Sequence, residues 1–82
     1  MGASIYYQPV NGKYLPMGGS SGFQELLRRA FGSDSPWHFT DRDAHRLETA
    51  AQATDSSEYR AALTTLAEDA MKHGEIRVWA EY

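Results

Sequence analysis

Glu75-Ile76-Arg77-Val78-Trp79-Ala80-Glu81-Tyr82 is the stretch that decides how this chain folds. Ile76, Val78 and Ala80 point one way along it, while Arg77, Trp79 and Glu81 point the other. Successive side chains leave a pleated backbone on opposite sides, so this alternation predicts a strand with one buried face. Such a strand needs a neighbour to complete its hydrogen bonds and a second layer to cover its apolar side.

The neighbour lies at the other end of the chain. Residues Ser4 to Val10 read as a strand, because Ile5, Tyr6, Tyr7 and Val10 fit a pleated surface. Asn11-Gly12 comes next, and both residues tolerate the positive φ of a type I′ hairpin turn. Lys13 to Met17 is then the return strand. Pro9 and Pro16 have no N–H and belong where the ladder needs no donor. The final strand is expected beside the first, giving the spatial order second, first, last. That makes the second and last strands parallel, joined by a right-handed crossover. Tyr6 is expected to share a face with Trp79.

Between the strands the period changes from two to that of a helix. Gly18-Gly19-Ser20-Ser21-Gly22 is a flexible link, with Ser21 as a helix cap and Gln24 three residues on. Phe23, Leu26, Leu27, Ala30 and Phe31 form one apolar face, and Gly32 is a stop. Ser33 to His38 reads as a loop broken by Pro36. Thr40 and Asp43 make a capping box for a second helix running to about Ala53, with Phe39 as a staple onto Ala44. Its apolar face is Ala44, Leu47 and Ala51. Asp55 and Glu58 open a third helix with Tyr59, Ala62, Leu63, Leu66, Ala67, Ala70 and Met71 along one side. His73 sits in its last turn, where a cation meets the helix dipole, and Gly74 ends it.

The fold class expected is therefore α+β. An N-terminal β-hairpin, three helices and a C-terminal strand pairing with the first strand give a three-stranded sheet, covered on one face by helices. Residues 1–82 are read as a single, stand-alone domain. At 82 residues the chain buries only about 60–65% of its unfolded surface, a thin core but a workable one.

Composition narrows the function. With no cysteine, disulfides, thiolate nucleophiles and thiolate metal sites are excluded. Eleven acidic residues against eight Lys and Arg give a net charge of -3, which is not the footprint of a nucleic-acid binder. Arg28 and Arg29 are an isolated basic pair, and Arg42, Arg46 and Arg60 are interleaved with acids. The N-terminus lacks a basic stretch followed by an apolar run, and no segment approaches the ~20 apolar residues that span a bilayer. The expected address is the cytoplasm, with no membrane contact.

Catalytic patterns are equally thin. The glycines at 18–22 lack the Lys-Ser/Thr of a phosphate-binding loop and the spacing of a dinucleotide fingerprint. Asp41, His45 and Glu48 share one side of a helix near His38 and Asp43, but first-turn acids are already explained by the helix dipole. Ser33, Asp34, Ser35 and His38 supply the residue types of a nucleophile–base site without a family pattern. No cofactor and no metal are expected.

What remains is a surface. A sheet covered on one face leaves its other face open. The expectation is a small non-enzymatic protein-binding module, an inhibitor or regulator covering a surface of a larger partner. That partner would be basic and nucleic-acid-handling, as for phage-encoded anti-CRISPR-type inhibitors, which share this size and charge. The contact residues expected are Asp34, Trp37, Asp41, Asp43, Glu48 and Trp79, because aromatic residues dominate contact hot spots and acids meet a basic partner. The competing expectations are a homodimer built on the last strand's edge or the open face, and a small metal- or anion-dependent enzyme.

Overall fold

In the computed structural model, which describes residues 4–9, 15–16 and 21–81, eight short elements succeed one another. They are β1 (Ser4–Pro9), β2 (Leu15–Pro16), α1 (Ser21–Phe31), β3 (Trp37–Thr40), a 3-10 turn (Asp41–Asp43), α2 (Ala44–Ala53), α3 (Ser57–His73) and β4 (Glu75–Glu81). The sheet order is β2-β1-β4-β3, and every neighbouring pair is antiparallel. The C-terminal strand thus pairs with the first, Tyr7 standing opposite Val78 and Ile5 opposite Ala80. Both β2 and β4 run antiparallel to β1, so they are parallel to each other, as the sequence predicts. The Asn11-Gly12 turn and the glycines at 18 and 19 lie outside the described residues, and so does the Ser21 side chain.

The loop expected over Ser33 to His38 is corrected by β3. Trp37 pairs with Val78 and Phe39 with Ile76, adding a fourth strand on the far side of β4. Trp37 and Phe39 are buried while His38 is exposed, the same two-residue alternation that marks β4. The Trp37 indole N–H donates to the Ser33 carbonyl at 2.8 Å. Ser35, joined to Pro36 by a cis peptide bond, turns back towards the sheet. Its Oγ accepts the Ala80 N–H at 2.9 Å, so that donor finds an oxygen just before β3 begins.

Thr40 both ends β3 and caps the 3-10 turn. Its N–H donates to Asp43 Oδ2 at 2.8 Å, and its Oγ1 accepts the Arg42 N–H at 3.3 Å. The capping box is therefore real, but the turn it caps precedes α2, and Phe39 is a core residue rather than a staple. α3 begins one step later than expected. Ser56 is its cap, its Oγ accepting the Tyr59 N–H at 3.2 Å. Arg60 reaches back from α3 to the carbonyls of Ala51 (3.3 Å) and Thr54 (2.9 Å), which the end of α2 leaves without helical partners. Gly74 closes α3 at φ 85°, a backbone angle that side-chain-bearing residues rarely adopt.

The core lies between the sheet and the helices. Ile5, Tyr7, Trp37, Phe39, Ile76 and Val78 supply the sheet side. Phe23, Leu27, Leu47, Leu63 and Leu66 meet them from the helices. Ala44 and Ala51 are small enough to let α2 and α3 pack closely, as their spacing predicts. Ring contacts secure α1: Phe31 lies 4.5 Å from Phe39 and Phe23 lies 5.3 Å from Tyr59, centroid to centroid. The Arg46 guanidinium carbon sits 5.6 Å above the Phe31 ring. Each fully buried Leu or Ile contributes roughly 1.5–3 kcal/mol relative to leaving it exposed. Met71, expected on the apolar side of α3, is instead 63% exposed. No helix among the described residues is long and apolar enough to cross a membrane.

Candidate functional site

The pleat that buries Tyr7 and Val78 turns their neighbours to the side of the sheet away from the helices. Tyr6 and Gln8 come from β1, Glu75, Arg77 and Trp79 from β4, and His38 and Thr40 from β3. Register arranges them in rows across the strands. Tyr6 stands opposite Trp79, with ring centroids 6.0 Å apart and planes 29° from parallel. The next row is Gln8, Arg77 and His38. His38 Nε2 lies 2.8 Å from Glu75 Oε2, a diagonal pair in the exposed part of the sheet. Solvent weakens such a pair, so it orders two side chains more than it stabilises the fold.

Beside Trp79 and the second row, towards the start of β3, lies a groove of about 410 Å³, lined by Gln8, Pro36, Trp37, His38, Arg77 and Trp79. Its chemistry is that of recognition. An indole flank offers apolar contact, a guanidinium offers a two-pronged donor for a carboxylate, and amide and imidazole groups offer further hydrogen bonds. A second hollow of about 490 Å³ lies between α1 and the end of α2, with Leu26, Ala30, Ala50 and Ala53 on its walls. On its rim Arg29 and Glu25 pair, Arg29 Nε lying 3.2 Å from Glu25 Oε1. Arg28 also donates to Glu25, and chiefly that bond holds the Glu25 carboxyl below the ordinary carboxylate range.

Of the six residues expected to meet a partner, only Trp79 is on this face. Trp37 belongs to the core at 3% exposure, because its strand position puts it opposite Val78. Asp43 is half-buried and holds the Thr40 N–H. Asp34 is exposed on the loop before β3, its carboxylate 4.0 Å from Arg28 Nε. Asp41 and Glu48 are exposed on the 3-10 turn and α2. His45 is exposed too, and no group of three or more His, Asp or Glu among the described residues could hold a metal ion.

Arg77 and His38 were not among the expected contacts. Arg77 was legible, since it alternates with Trp79 on one strand. His38 was not, because its segment reads as a loop unless the Trp37 and Phe39 alternation is noticed.

Tyr7, on the core side of β1, lies beside the half-buried Asp69 of α3. Burial above all, and then the neighbouring Asp69 carboxylate, push the Tyr7 phenol up to about 12.

Compared with protein families, curated proteins and solved structures, the chain matches none.

Proposed function

We propose that the protein is a non-enzymatic binding module that covers a surface of a larger protein, acting as an inhibitor or regulator. The open sheet face is its contact, and the Tyr6–Trp79 pair is the anchor. The observation that supports this is the half-buried aromatic pair beside an open groove, on the side of the sheet opposite the helices. Large flat side chains give much contact area for little conformational entropy, which is why Trp and Tyr concentrate in hot spots. Asp34, Asp41 and Glu48 add exposed negative charge elsewhere on the molecule. They favour a partner with a basic surface by steering the encounter, and a nucleic-acid-handling protein in the cytoplasm fits that description.

A second copy of the chain is a less suitable partner at the β3 edge. An added strand would need the outward amides of His38 and Thr40, and Asp43 already takes the Thr40 N–H.

The test is affinity capture from the native host with the wild-type protein, Trp79→Ala and Asp41→Ala/Glu48→Ala, each checked for retained fold by circular dichroism. Trp79→Ala is expected to lose at least nine-tenths of the captured partner, and the double variant to slow association at low salt. Undiminished capture by Trp79→Ala refutes the proposed contact.

A further inference from the structure

We infer that the groove receives an extended segment of the partner that lays an Asp or Glu side chain on Arg77 and, two residues along, an apolar side chain on Trp79. This rests on the binding role proposed above and specifies the chemistry of the contact.

Charge is the first reason. Arg77 is exposed on the sheet face away from the helices and forms no ion pair among the described residues. Glu75, the acid two positions away on the same face, is engaged with His38 at 2.8 Å. Gln8, the other cross-strand neighbour of Arg77, carries no charge. A guanidinium beside an aromatic wall is matched by a carboxylate, which it can grip with two parallel hydrogen bonds.

Spacing is the second reason. Arg77 and Trp79 stand two positions apart on one strand, so their Cα atoms are about 6.6–6.8 Å apart along it. An extended ligand has the same repeat, and residues two apart point to the same side. A segment lying along β4 therefore meets both groups without distortion. Size is the third. A volume of about 410 Å³ falls within the ~300–1,000 Å³ of typical ligand sites and holds two side chains, not a folded element.

The test uses N-acetylated, C-amidated heptapeptides Thr-Val-Glu-Thr-Leu-Thr-Val, with Gln or Lys replacing Glu. Each is titrated into the full chain and followed by Trp fluorescence and by amide chemical shifts. The Glu peptide is expected to bind at least tenfold more tightly than the Gln peptide, with shifts at Arg77 and Trp79. Arg77→Gln is expected to erase that difference while leaving the fold intact. Equal binding of Glu and Gln peptides, preference for the Lys peptide, or no binding of any overturns the inference. So does a dimer seen by light scattering that disappears in Arg77→Gln, because it assigns the face to a second copy. Partner capture separates this from the broader role. Capture lost in Trp79→Ala but retained in Arg77→Glu keeps the binding module and discards the carboxylate contact, whereas capture retained in both discards the two together.

Discussion

Replacing Tyr7 by Phe isolates one phenol at the seam between the sheet and α3. The ring stays and keeps its packing, while the hydroxyl beside Asp69 goes. Near neutral pH the loss of the hydroxyl is expected to cost about 1 kcal/mol. The pH dependence is more diagnostic. The Tyr7 phenol rises from 10.0 to about 12, so folding favours its neutral form. Its contribution is complete below the unfolded value and disappears as pH rises from 10 through 12. At ~1.4 kcal/mol for each unit, with the group half-titrated at each end, the wild type should lose about 2 kcal/mol across that window beyond what Tyr7→Phe loses. Urea unfolding from pH 8 to 11.5 measures the start of this convergence. Tyrosinate absorbance on the folded protein gives a second reading: a late step should appear, and it should be absent in Tyr7→Phe. Asp69→Asn keeps the side chain's shape but removes the charge, so it should bring that late step part of the way down, burial being the larger cause. Parallel stability profiles for wild type and Tyr7→Phe, or a tyrosinate titration that Tyr7→Phe leaves unchanged at its alkaline end, would refute the account of this site.

Substitutions at two further positions probe the edge of β4 and the junction between β3 and α2. Ser35→Ala removes the oxygen that accepts the Ala80 N–H; about 1–3 kcal/mol should be lost in urea unfolding, and the Ala80 amide should exchange faster with deuterium. Asp43→Ala strips the Thr40 N–H of its acceptor and should cost about 1 kcal/mol, while Asp43→Asn, which keeps a side-chain oxygen, should recover most of it.

The sequence carried most of the architecture because its strongest signals are periodic. Alternation over Glu75–Glu81 and helical spacing over Ser57–His73 each repeat enough times to outweigh local exceptions. β3 has only four residues, too few for alternation to stand out, and it overlaps a competing local signal. Phe39, Thr40 and Asp43 match a helix start, and Thr40 does cap one; what they conceal is that the residues leading into the cap are a strand. That single overlap also misplaced Trp37 as a surface residue. Met71 failed for a different reason: helical spacing gives the side of a helix, but not how far the neighbouring elements extend to cover it. The groove was only half visible. Arg77 and Trp79 emerge from one strand's own alternation, whereas adding His38 and Gln8 requires knowing which strands stand beside it.

The unequal settings of the two tryptophans give the molecule a built-in pair of optical probes. Trp37, 3% exposed and hydrogen-bonded to Ser33, sees a dry and fixed environment. Trp79 lies partly in solvent with a tyrosine ring beside it. The emission of the first reports whether the chain is folded, and that of the second reports what touches the open sheet. A Trp79→Phe protein and a Trp37→Phe protein would together let unfolding and occupancy be followed in the same cuvette, without attaching a dye.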